Sequence, residues 1–157
     1  MYKRQGETKQ FGIRFNGVYR DGNTAIDHQQ KKTSLAALAL DWRAERARLS
    51  ADFYSSEDRT DGLNRGINLV PGLGVPKPPK ATTLLNPSWA FYDTRDTGLM
   101  VRGEVDVNDQ LTAYAAVGTS QTRYKSTGAY LIQVFNEAGD YRTNLADLGF
   151  DLSLIHI

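Results

Sequence analysis

The chain contains no cysteine. That excludes a disulfide framework and a zinc–thiolate site, and it selects no compartment. It has no apolar run of the roughly 18 residues that a membrane helix needs. A membrane strand needs only about 9–11 residues with every second one polar, so a membrane protein built of strands is not excluded. Basic excess is absent as well: 19 Lys+Arg stand against 18 Asp+Glu, a net charge of +1. Nothing in that balance points to nucleic acid. Histidine is scarce. His156 lies in the C-terminal tail and His28 in a polar stretch, without a second imidazole for a metal site. No serine sits in a nucleophile elbow. Gly72-Leu73-Gly74-Val75-Pro76 lacks the lysine and helix of a phosphate loop. Glu57 and Asp58 are adjacent on a strand end, so they face opposite sides and make a poor acid pair. No enzyme, cofactor or metal is expected.

The two ends read as foreign. Met1-Tyr2-Lys3-Arg4-Gln5 can be encoded by GTG TAT AAG AGA CAG, and residues 152–157 by CTG TCT CTT ATA CAC ATC. The second string begins with the reverse complement of the first, and both resemble the transposon end of sequencing-library adapters. Residues 1–5 and 152–157 are therefore set aside as adapter-like, and residues 6–151 are taken as a piece of a longer gene. Without Lys3 and Arg4 the balance is 17 basic against 18 acidic residues, a net charge of −1. The lack of a signal peptide then carries no weight.

What is present is alternation. Phe11, Ile13, Phe15 and Tyr19 are apolar at every second position, with only Gly17 missing from the row, and Gly12, Arg14, Asn16 and Arg20 occupy the alternate positions. A strand sends such neighbours to opposite faces. The same period recurs over residues 33–43, 46–56, 98–107 and 110–122, giving five expected strands with 9–21. Ala44-Glu45 and Asn108-Asp109 form tight links, residues 22–32 a polar loop, and residues 57–97 a long one. All five prolines fall in that long segment, which predicts irregular structure. Such a loop is unusual in a compact soluble domain. Short turns at one end and long loops at the other suit an outer-membrane barrel. Residues 33–49 also contain good helix formers, with Leu35, Leu38, Trp42 and Leu49 on one helical face. Continuous alternation and the polar break at Arg43–Arg46 favour a hairpin.

Residues 11–22, Leu35-Ala-Ala-Leu-Ala-Leu-Asp-Trp-Arg43, residues 48–52, Val101-Arg-Gly-Glu-Val-Asp106 and residues 111–118 together resemble the early barrel strands of TonB-dependent siderophore receptors. The resemblance implies an all-β fold, an antiparallel meander of five to six strands of a larger transmembrane β-barrel with one long extracellular loop. It implies uptake of ferric siderophores across the outer membrane of a Gram-negative bacterium. The implied partners are the ferric siderophore, the receptor's own plug domain, the TonB complex and outer-membrane lipid. Transport by this piece alone is not expected. In such a barrel Arg14, Arg20, Asp41, Asp52, Arg102 and Glu104 point to the lumen and plug. Arg65, Trp89, Phe91 and Tyr92 of the long loop, with Tyr130 of a later one, are candidates to stack on or ion-pair with a siderophore. Tyr124 and Phe135 are assigned to later loop segments too. A passive porin and a soluble all-β binding module are the rival readings.

Overall fold

The structure, a computed structural model, describes residues 2–5, 10–75 and 77–156, with the side chains of 2–5, 130–131 and 144–156 left aside. Met1 and Ile157, the outermost residues of the adapter-like ends, lie outside the described residues. Every regular element among them is a strand: β1 (Tyr2–Gln5), β2 (Phe11–Asn23), β3 (Gln30–Arg43), β4 (Ala47–Asp61), β5 (Asn68–Leu69), β6 (Phe91–Asn108), β7 (Leu111–Val134) and β8 (Tyr141–His156). They form one sheet, an antiparallel meander β1-β2-β3-β4-β6-β7 with β8 beside β7. The two-residue β5 pairs parallel with Gln133 and Val134 of β7. Residues 33–49 form a hairpin, closed by Ala44 N–H donating to Ala47 C=O at 2.8 Å.

Cross-strand register sorts the side chains into two faces. One carries the rows Phe11–Trp42–Leu49–Gly103–Ala115, Ile13–Leu40–Ala51–Val101–Val117 and Phe15–Leu38–Phe53–Leu99–Thr119. This apolar band runs along β4 from Ala47 to Ser55, the length a strand needs to cross hydrocarbon. Further up, the same face turns charged: Ser34–Glu57–Arg95–Arg123, then Lys32–Arg59–Asp93–Lys125.

Several boundaries differ from the sequence reading, and the strands run further into the expected loops: β2 reaches Asn23 and β3 begins at Gln30. β4 continues to Asp61, β6 begins at Phe91, and β7 continues to Val134. The long connection is thus residues 62–90, not 57–97. Phe91, Tyr92, Tyr124 and Tyr130 lie on strands, not in loops. The β6–β7 link is Asp109-Gln110, with Asn108 Oδ1 accepting from Gln110 N–H at 2.9 Å. The physical reason is shared. Past the apolar band both faces are polar, so pairing continues on backbone hydrogen bonds while alternation disappears. Cross-strand ion pairs accompany it there: Arg95 Nη2–Glu57 Oε1 at 3.0 Å and Arg59 Nη1–Asp93 Oδ2 at 3.8 Å. β8, which follows a turn at residues 135–140, is a further strand of the expected meander that alternation did not place.

The tightest packing lies where the long loop docks. Beyond Thr127 the β6-side edge of β7 has no β6 residue left to pair with. Asn86 fills the gap like a strand: its Nδ2 donates to Ala129 C=O at 3.1 Å and its Oδ1 accepts from Ala129 N–H at 3.0 Å. β5 continues the same edge, and Val70 N–H donates to Val134 C=O at 3.1 Å. Ala90, Ala129, Ile132, Val134 and Ser126 are buried here. Asn64 ties the loop to itself, accepting from Leu85 N–H at 2.9 Å. The β2–β3 loop holds the far side, Asp27 N–H donating to Thr82 C=O at 2.8 Å. Gly62 packs against that loop at φ +75°, where a Cβ would stand 2.7 Å from His28 C=O, so glycine is required.

Candidate functional site

The face opposite the apolar band has three layers. At the short-turn end lies a charge lattice. Arg48 reaches Glu104 Oε2 and Asp106 Oδ2, each at 3.1 Å, and Arg102 Nη2 reaches Glu104 Oε1 at 2.7 Å. Thr112 Oγ1 donates to Asp106 Oδ1 at 2.7 Å, and the Arg102 guanidinium stands 5.0 Å from the Tyr114 ring centre.

The middle layer is less polar than the alternation suggested. Val18 faces Leu35, Tyr54 lies between Ala37 and Gly98, and Met100 is followed by Gly118. Val18, Tyr54 and Met100 are 43, 40 and 47 % exposed. The Tyr54 ring lies against Gly98 so closely that a Cβ there would collide with Cε1. Glycine is what lets the ring lie across β6. Arg14, Asn16 and Asp52 interrupt this layer.

At the loop end, Asp58 gathers three partners. Lys31 Nζ lies 3.0 Å from Oδ2, Thr33 Oγ1 donates to Oδ2 at 3.0 Å, and the Tyr92 hydroxyl donates to Oδ1 at 3.0 Å. These groups stand beyond the apolar band. Burial pushes the Asp58 carboxyl up, but hydrogen bonds from Lys31, Tyr92 and Thr33 outweigh it and hold the carboxyl below its ordinary value. The bond to Asp58 in turn raises the Lys31 amine above its own. Arg20 shares the row of Thr33 and Asp58.

The lumen candidates Arg14, Arg20, Asp41, Asp52, Arg102 and Glu104 all fall on this one face. Only Arg102 and Glu104 of the six form an ion pair with each other among the described residues. The ligand candidates scatter. Tyr92 joins the Asp58 cluster, whereas Phe91 stands on the opposite, banded face with the Arg59 guanidinium 4.5 Å from its ring centre. Trp89 is 52 % exposed on the loop, Arg65 is half-buried in it, and Tyr130 belongs to β7 with its side chain outside the described residues. Lys31, Thr33 and Asp58 were not singled out as site residues, nor were Tyr54 and Gly98. Each is unremarkable in one strand, and only the register makes them neighbours.

No protein-family model matches the chain. The ferrichrome receptor FcuA of Yersinia enterocolitica is 34 % identical over 128 residues, 82 % of this chain and 17 % of that protein. The crystal structure of BauA, the ferric preacinetobactin receptor of Acinetobacter baumannii, superposes with a TM-score of 0.93 at 47 % identity, covering 97 % of this chain and 23 % of that one. FpvAI, solved in complex with pyocin S2, shares the fold with a TM-score of 0.72 at 12 % identity, over 94 % of this chain and 20 % of its own. FcuA and BauA are receptors rather than enzymes, and the chain spans less than a quarter of each of the three proteins. By sequence and by fold the chain corresponds to a segment of the outer-membrane β-barrel of the TonB-dependent siderophore receptors.

Proposed function

We propose that the protein carrying this chain is a plugged, energy-coupled receptor that takes up a ferric siderophore across the outer membrane. The observation that carries the reading is the middle layer of the inner wall. A water-filled channel keeps its lumen polar. Here Val18, Tyr54 and Met100 are exposed toward the lumen side, backed by Ala37, Ala39, Gly98 and Gly118. Such a surface suits a protein plug pressed against the wall, and movement of that plug by the TonB complex would open the path. Outer-membrane lipid covers the apolar band. Iron travels as cargo within its siderophore, and no resident cofactor is invoked.

The loop end of the wall supplies the ligand contacts. Arg20 and Lys31 offer positive charge to an anionic chelate, and Tyr92 offers a ring and a hydroxyl. Trp89 and Arg65 of the anchored loop can approach from above. Radio-iron uptake by an iron-starved strain expressing the complete receptor tests this over a panel of siderophores. One or more siderophores should deliver iron only when TonB is present, and K31E combined with Y92F should weaken uptake about tenfold. TonB-independent flux of many solutes with open-channel conductance would instead establish the passive porin.

A further inference from the structure

The connection from β4 to β6 is longer than its task. Asp61 and Phe91 are register partners on adjacent strands, so a short turn would close the hairpin. Instead the chain runs out and back through residues 62–90. Its base is pinched shut, Gly62 N–H and Leu63 N–H both donating to Ala90 C=O, at 2.7 and 3.1 Å. Its two limbs, residues 62–70 and 80–90, then reach past β4 and β6 on both sides. On the β2–β3 side, Gln29 Nε2 donates to Gly62 C=O at 2.8 Å. Thr82 Oγ1 donates to Asp27 Oδ2 at 3.0 Å, beside the backbone bond that joins the same two residues. On the β7 side, Asn86 clasps Ala129, and β5 pairs with Gln133 and Val134. Gly128 permits that docking, because a Cβ there would stand 3.1 Å from the Ala90 Cβ. Asn64 Nδ2 joins the limbs to each other, donating to Thr83 C=O at 3.3 Å.

Segments that move in a binding cycle come from the least stable part of a fold, where few contacts are buried. Here the anchors Asn86, Ala90 and Ala129 are all buried. Lifting the limbs would leave the Ala129 N–H and C=O without partners. Trp89 stands between two of those anchors, on a turn in which Ala90 N–H donates to Pro87 C=O at 2.9 Å, with its ring exposed.

We propose that these two limbs are a fixed strap. They hold the loop ends of the β2–β3 hairpin, β4, β6 and β7 at constant spacing through binding and uptake. Asn86 is the positioning residue, setting the turn that presents Trp89 before a siderophore arrives. The proposal rests on the receptor reading and adds that this connection is a preformed wall of the site, not a part that closes over the ligand.

A disulfide lock in the complete receptor tests it. The chain has no cysteine of its own, and the Asp27 and Thr82 side chains already meet, so D27C with T82C brings two thiols together. Heat-modifiable electrophoretic mobility checks that each variant barrel is folded. The pair should oxidise readily, and radio-iron uptake from the siderophore selected by the uptake panel should be the same in the oxidised and reduced forms. N86A should raise the half-saturating siderophore concentration about fivefold at an unchanged maximal rate, because the binding-ready arrangement is then only part of the population. Adding the oxidised D27C–T82C lock to N86A should restore the parent value, which it would not do for a general folding defect. Uptake that stops on oxidation and returns on reduction would overturn the proposal. So would a pair that stays reduced in a folded barrel, or an unchanged half-saturation in N86A. Amide exchange at Ala129 in the parent receptor needs no variant: equal protection with and without the same ferric siderophore is expected, and a change in it would equally overturn the strap. Failure of the receptor reading shows separately, as TonB-independent flux through the parent protein.

Discussion

The lower and upper halves of the same strands obey different rules. In β4 the residues from Ala47 to Ser55 place Leu49, Ala51 and Phe53 on the banded face, and the strand is recognisable from period-two hydrophobicity. Glu57, Arg59 and Asp61 continue that face without a break in register, yet none is apolar. In the proposed barrel the first half meets lipid, where a polar side chain is penalised. The second half stands in water, where the strand needs only its backbone partners and tolerates charge. Alternation therefore reports the thickness of the bilayer, not the length of the strand.

Four measurements on the complete barrel sharpen or break that contrast. The largest effect should come from V101R, at mid-band on β6: about 2–4 kcal/mol in urea unfolding from lipid vesicles, against about 0–1 kcal/mol for T97R on the same strand and face. Equal costs would mean that the band does not face lipid. Next, N86A strips two partners from the buried Ala129 backbone at the upper end of β7. About 2 kcal/mol of local stability should be lost there, read as faster amide exchange at Ala129, while exchange within the band is unchanged.

The third concerns pH. Because the folded Asp58 carboxyl lies below its ordinary value, it contributes stability above the unfolded carboxyl range. That contribution is lost as pH falls through the folded value. D58N should cost about 1 kcal/mol at neutral pH and flatten the acid limb of the stability curve. An unchanged acid limb would show that Lys31, Thr33 and Tyr92 do not hold the ionised form. Smallest is R95A. The Arg95 side chain is 60 % exposed although it lies 3.0 Å from Glu57. Removal should change unfolding by about 0–1 kcal/mol and less at high salt. A larger loss would make the ladder, and not the backbone, the source of strand pairing above the membrane.

The candidate site was legible to the same extent as the strands. Arg14, Asp41, Arg102 and Glu104 were placed on one face because they lie inside the alternating stretches, where parity alone assigns a face. Phe91 and Tyr92 stand one residue apart beyond those stretches, so their separation onto opposite faces was not readable. The helix-prone residues 33–49 became a hairpin because both strands bury backbone groups against β2 and β6, a tertiary demand that outweighs propensity.

The order of residues by itself determined the kind of protein this is. Period-two alternation, tight turns at one end and a proline-rich connection at the other follow from local chemistry and the spacing of side chains along an extended chain. Only the tertiary structure decided how far the strands run, that Asn86 substitutes for a missing strand beside Ala129, and that Asp58 gathers Lys31, Thr33 and Tyr92. Those outcomes depend on which residue faces which across neighbouring strands. A shift of one residue in register would send each of those side chains to the other face.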